Sequence, residues 1–343
     1  MRVNREELLK VLESVVPGLS NREVLEQSTC FAFRGGRVFT FNDEVACTRS
    51  TELDIEGAVK AEKLRSVLSQ LPDDDVDIVV ESDDKGTRLK IKCQGKRSCG
   101  MPIEKTVALP IDEVETPNDA DWRELPDEFG DAVRIVHSCA SRDQSQFDLT
   151  CVHMTGSFME ACDRFQMARY QIESGIDGDV LVRAASLKSV ADLGMVEICE
   201  SDHWLHFRNR SGLIVSCRRF INDSYHDLSP YLQGSGDKIV LPGGLEEIIK
   251  RAEIFSVDNV DGNTVLVDLN NGWISLKGEG PLGWYMERKQ VEYNGDHLRF
   301  RVGPKMLVEL SKKSNDCLLG ERRLMVDGGV YQYATVTEIT NGE

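Results

Sequence analysis

No apolar run in the 343-residue sequence approaches the roughly 20 residues that a membrane-crossing helix needs. The opening MRVNREELLK is too polar for a signal peptide, so a cytoplasmic location without membrane contact is expected. Cysteine occurs ten times but never as CxxC, and no histidine stands near one at zinc-ligand spacing. That excludes a zinc ribbon and reads as buried thiols in a reducing compartment. Walker, GxSxG and HExxH signatures are missing, which removes the commonest routes to nucleotide, acyl-transfer and zinc-protease chemistry. GEGPLG at 278–283 lacks the P-loop lysine and reads as a surface turn. Asp73, Asp74 and Asp75 follow Pro72 and read as a solvated loop. His203 and His206 are expected to share a strand face, with too few further ligands for a metal. No enzyme activity, metal or cofactor is expected.

Positive charge is the other shortage: 41 Lys and Arg stand against 58 Asp and Glu, for a net charge of −17. Phosphate binders are usually basic. Net charge is only a sum, however, and an acidic exterior can surround a basic inner surface.

What the sequence does contain is a segment that occurs three times. It reads VKAEKLRSVL at 59–68, VRAASLKSV at 182–190 and VGPKMLVEL at 302–310. With Val59, Val182 and Val302 aligned, a leucine follows five residues on: Leu64, Leu187, Leu307. Each third should open with an amphipathic helix, over 4–16, 127–140 and 244–256. The apolar stripes are Leu8, Leu9, Leu12, Val15 and Val16, then Phe129, Ala132, Val133 and Val136, then Leu245, Ile248, Ile249, Ala252 and Phe255. Asn4 and Asp127 are the expected caps, Glu7 completes a capping box, and Pro17 is the stop. Second helices are expected over 60–71, over 183–193 and after Val302. Strand-like runs at 30–41, 149–161 and 264–278 carry hairpin turns, and further alternating runs follow each second helix. Asp43 and Asp163, 120 apart, support the register. The stretches 109–128 and 229–238 read as linkers. The expectation is an α+β chain of three tandem domains, 1–112, 121–232 and 236–343, each helix–strands–helix–strands. A strand-only sandwich with incidental helices is the alternative.

Opposite its apolar stripe, every expected helix carries a cation: Lys10, Arg65, Arg134, Lys188, Lys250 with Arg251, and Lys312 with Lys313. Each alone is what a solvated helix face shows. Six in six, within a threefold repeat, point to a shared basic surface.

Four segments then carry a resemblance: VNREELLKVLESVVPGLSNRE, EACDRFQMARYQIE, SCRRFINDSYHDLSPYL and IIKRAEIFS. In order, over essentially the whole chain, they resemble the bacterial DNA polymerase III beta sliding clamp family. Asp163 and Ala168 match its ATDGHRLA segment, and Met167 stands for the leucine. The divergence points to a phage-encoded or otherwise atypical clamp.

The resemblance implies half of a six-domain ring. A head-to-tail homodimer would encircle duplex DNA without reading sequence, tether a DNA polymerase and be opened by a clamp loader. The helix-face cations would line the hole. Arg22, Gln146 and Phe147 match family residues that touch tilted DNA, although the last two are tyrosines there; Arg142 lies nearby. A partner-peptide pocket would take in Cys162, Gln166, Met167, Val302, Thr335 and Val336. The dimer contact would set Ile254 and Phe255 against Ser98 and Gly100, where the family has bulky apolar residues. The family's Gly-His-Arg-Leu run is Arg164, Phe165, Gln166, Met167 here, and its Met-Pro-Met-Arg-Leu ending is VTEITNGE, so a dedicated partner motif is expected. The alternatives are a clamp-like scaffold that does not encircle DNA, and an enzyme with an unrecognised site.

Overall fold

A computed structural model of the chain describes residues 1–84, 86–93, 97–115, 117–221, 225–241, 243–256, 264–293, 297–304, 307–308, 311, 316–320 and 322–339. The helices described are α1 Arg5–Ser14, α2 Ala61–Gln70, α3 Phe129–Val136, α4 Ala184–Ala191, α5 Ser229–Leu232 and α6 Leu245–Glu253. None is long and apolar enough to cross a membrane. In the third copy of the repeat, Pro304, Leu307, Val308 and Ser311 are helical.

Asn4 caps α1 as expected, accepting the Glu7 N–H at 3.0 Å. The cap of α3 is not Asp127 but Glu128, which offers no side-chain bond. The chain instead enters α3 from Pro126, whose carbonyl accepts the Phe129 N–H at 3.0 Å. The repeated residues are core: Val59, Val182, Val302, Leu64, Leu187 and Leu307 are each at most 1% exposed. The valine closes a strand's buried face and the leucine drops onto it from the first helical turn. Burial of each is worth about 1.5–3 kcal/mol.

Hairpins form where glycine-bearing turns fall between apolar runs. Cys30–Arg34 and Arg37–Phe41 are joined by Gly35 and Gly36, with φ of 58° and 68°. Two left-handed residues make the turn whose twist matches paired strands. The expected Asp43–Asp163 match is displaced by one. Asp163 Oδ1 accepts the Phe165 and Gln166 N–H groups at 2.7 and 2.8 Å. In the first third Asn42 does the same for Glu44 and Val45, at 3.1 and 2.8 Å. The turn geometry selects a short side chain that accepts from the backbone, and that residue is Asn42.

The chain divides into two compact units. The first comprises Met1–His137, Val152–Gly156 and Glu173–Asn222; the second comprises Ser138–Cys151, Ser157–Ile172 and Asp223–Glu343. In the first, one sheet runs in the order Arg2–Asn4, Asp75–Asp83, Gly86–Lys92, Ser98–Pro102, leaving the last as a free edge. Its other ladder joins strands of two thirds: Ile214–Ile221 has Val45–Ser50 on one side and Trp204–Asn209 on the other, and its last residues pair with Val180–Arg183. Helices α1 with α2, and α3 with α4, pack as pairs in this unit.

In the second unit, Tyr331–Val336 lies between Arg323–Asp327 and Gln166–Gln171. Its other sheet runs Gly283–Gln290, Trp273–Gly280, Val265–Asn270, Leu298–Val302, Glu338–Ile339, with Gly283–Gln290 as an edge. Helix α6 covers one face of that sheet. Gly278 makes the approach possible, since a Cβ there would meet the Ala252 backbone.

Candidate nucleic-acid interface

Among the described helices, the cations fall on the solvent face, as the helical period requires. Their electrostatic surroundings differ. Lys10 on α1 and Lys188 on α4 are exposed, with no hydrogen bond or ion pair among the described residues. Arg65 on α2 instead forms a fork with Glu13 on α1, Nε to Oε1 at 2.8 Å and Nη2 to Oε2 at 2.6 Å. Arg134 on α3 bonds Asp131 at 2.7 Å and Asp192, just past α4, at 3.0 Å. Those carboxylates hold its guanidinium above the usual arginine range, the Asp192 hydrogen bond most. On α6, Lys250 pairs with Glu246 at 2.8 Å and Arg251 with Glu287 at 2.8 Å.

Two kinds of cation therefore share these faces. Free lysines project an unopposed field. Paired arginines are largely neutralised at a distance and hold neighbouring elements together. Exposed pairs of this kind are worth about 0–1 kcal/mol, so an approaching phosphate can compete for the arginine. Lys312 lies outside the described residues. Arg22 and Arg142 are exposed on loops and unpaired among the described residues. Gln146 and Phe147 are half-buried, and the Phe147 carbonyl accepts from Thr150 N–H at 2.9 Å and Oγ1 at 2.6 Å.

A second feature lies wholly in the second unit. A cleft of about 730 Å³ is lined by Met167, Tyr231, Gly234, Ser235, Gly320, Arg322, Arg323, Ala334, Thr335 and Val336. Met167, Thr335 and Val336 were expected there. Met167 faces Ala334 and Gln166 faces Thr335 across one ladder. Gln166 sits beside the cleft, its Nε2 donating to the Ser138 carbonyl at 3.1 Å and its Oε1 accepting from Tyr333 at 2.9 Å. Cys162 lies behind it, packed with Leu228, Leu232, Met325 and Ala334, and burial pushes its thiol up. Val302 does not belong: it is 1% exposed on Leu298–Val302, paired with Val265 in the other sheet. Sequence reasoning missed Tyr231, Arg322 and Arg323. The adjacent arginines before an alternating strand were the available signal.

Of the expected dimer residues, Ile254 is 75% exposed past the end of α6. Phe255 is half-buried beside Gly283. Ser98 and Gly100 are exposed on the free edge Ser98–Pro102. His203 and His206 do not share a face. They are three apart, an odd number in a strand of period two. His203 is exposed ahead of the strand, while His206 is fully buried between Ser201 and Ser216. No cluster of metal-ligating side chains occurs among the described residues.

No protein-family model and no curated protein matches the sequence. Solved structures do match. The Streptococcus pneumoniae DNA polymerase III beta chain superposes with a TM-score of 0.78 at 16% identity, over 99% of both chains. The chain has the sliding-clamp fold. The Thermotoga maritima beta subunit gives 0.77 at 15% identity, and the Pseudomonas aeruginosa clamp, solved bound to griselimycin, gives 0.76 at 18%, each over 99% of both chains. The sliding-clamp fold thus spans the whole chain, as the order of sequence segments implied.

Proposed function

We propose that this protein is a DNA sliding clamp, a processivity factor without catalytic activity that works in the cytoplasm. The observation that carries the reading is the whole-length match to sliding clamps, 99% of both chains at TM-scores of 0.76 to 0.78. Three domains, 1–112, 121–232 and 236–343, would form half of a ring. Two chains would join head to tail, and because both contacts are identical the ring closes. Two open edges support this: Ser98–Pro102 in the first unit and Gly283–Gln290 in the second. An unpaired edge is a template for another strand, and exposed Ile254 adds an apolar contact beside the second edge.

Helix-face cations would line the hole. Duplex DNA carries one charge per about 1.7 Å, so a sparse positive lining centres it, and phosphate contacts carry no sequence information. Lys10 and Lys188 would supply the standing field, with Arg65, Arg134 and Lys250 released from carboxylates on contact. Lys312, Arg22, Arg142, Gln146 and Phe147 belong to the same proposed surface. An excess of acid elsewhere discourages DNA from the outside.

The cleft holding Met167, Thr335 and Val336 would dock a peptide from the polymerase and from the clamp loader. Its apolar floor suits aliphatic or aromatic anchors. Arg322 and Arg323 on its rim favour a peptide that also carries a carboxylate. Light scattering at micromolar concentration tests the ring: the expected mass is about 77 kDa, twice the 38.5 kDa chain. A monomer would overturn the closed ring and favour the non-encircling scaffold.

A further inference from the structure

The five-stranded sheet of the second unit buries one face under α6 and, among the described residues, leaves its two outer strands exposed on the other. On the covered side lie Ile274 and Leu276, with Tyr285 and Glu287 held by Arg251 of α6. The register defines the open side. Glu279 faces Trp284, Lys277 faces Met286, Ser275 faces Arg288 and Trp273 faces Gln290. The rows continue inward, from Lys277 through Leu266 to Arg301 and from Ser275 through Asp268 to Arg299. Cross-strand partners share a face, so these side chains form one surface.

That surface is unusual for this chain. Trp273 is 48% exposed, Trp284 61% and Met286 44%. Lys277, Arg288, Arg299 and Arg301 share it with three acids, Asp268, Glu279 and, by register with Arg301, Glu338, in a protein where acids outnumber bases 58 to 41. Two of the acids are occupied: Glu279 pairs with Lys277 at 2.8 Å, and Asp268 bonds His297 at 3.2 Å. Arg288 and Arg299 have no ion pair among the described residues, and the Arg299 Nε is buried without a partner. Trp284 stands six residues from Gln290, the partner of Trp273, so the two rings are about 20 Å apart along the strands.

We propose that this open face binds single-stranded DNA. Exposed rings accept unstacked bases, whose faces a duplex hides, and arginines between them track the phosphates. The separation of the rings requires a polymer rather than a mononucleotide. Charge complementarity is local, because the rest of the chain is acidic. The site goes beyond the proposed clamp function: it lies on a sheet face rather than a helix face, and it needs no encirclement.

The test uses the full chain and a fluorescently labelled linear oligothymidylate, read by anisotropy and by tryptophan quenching. Binding with quenching is expected. Trp284→Ala should weaken it at least about five-fold, as loss of one stacked base does. Arg288→Glu, at an exposed position, should weaken it and flatten its salt dependence. Trp273→Ala, on the strand behind the proposed dimer edge, should weaken binding likewise with mass and retention on circular duplex unchanged, which separates this site from the ring. Four results would overturn the proposal: no binding by the wild-type chain, binding that all three variants leave intact, a Trp273→Ala chain that loses its dimer mass, or stronger binding of a poly-glutamate peptide at the same face.

Discussion

Lowering the pH should destabilise the first unit through one residue, His206. It is fully buried on Trp204–Asn209, with its ring nitrogens 2.9 Å from Ser201 Oγ and 2.7 Å from Ser216 Oγ. Burial drives its pKa from 6.5 down to about 4, and Glu115 opposes this only in part. The folded pKa lies below the unfolded one, so the unfolded chain binds the extra proton. Stability is therefore full above pH 6.5 and is lost as pH falls towards 4. From pH 7 to pH 5 the loss from this group is about 2 kcal/mol, approaching about 3.4 kcal/mol below pH 4. Urea titrations at pH 7 and pH 5 would read this through hydrogen exchange of the Trp204–Asn209 strand. In His206→Gln, whose amide can still bond both serines, the difference between the two pH values should shrink by about 2 kcal/mol. Titrating carboxylates contribute equally to both proteins and cancel. An unchanged difference would refute the assignment.

Leu64→Ala and Leu187→Ala, at matched core positions, should each cost about 2–5 kcal/mol in chemical denaturation; losses below about 1 kcal/mol would deny the repeat its structural role. Lys10→Ala and Lys188→Ala should reduce the salt slope of duplex binding by about 0.9 for each phosphate no longer neutralised, whereas Arg65→Ala should change it less because Glu13 already neutralises Arg65. Glu13→Gln should strengthen duplex binding by freeing that arginine, and weaker binding would contradict the competition between carboxylate and phosphate. Ile254→Asp should shift the light-scattering mass from the dimer to the monomer, and a persistent dimer would place the contact elsewhere.

The fold was legible because its signals are local. Amphipathic stripes set the helices to within a few residues, and paired apolar runs set the hairpins. Ion pairing was not legible. A helical wheel shows that Arg65 leaves the core, but its partner Glu13 lies 52 residues away and Asp192 lies 58 from Arg134. Val302 was legible as core: the repeat aligns it with Val59 and Val182, and it is buried in the sheet beside Val265 rather than among the residues that line the cleft. The open aromatic face was invisible, since only the register shows that Trp273 and Trp284 stand on one side of one sheet.

In the proposed function the chain holds DNA by surrounding it. After loading by a cognate loader, retention on nicked circular duplex should persist through washing, and cutting the circle once should release the protein. Equal loss from the circle and the cut form would contradict the account.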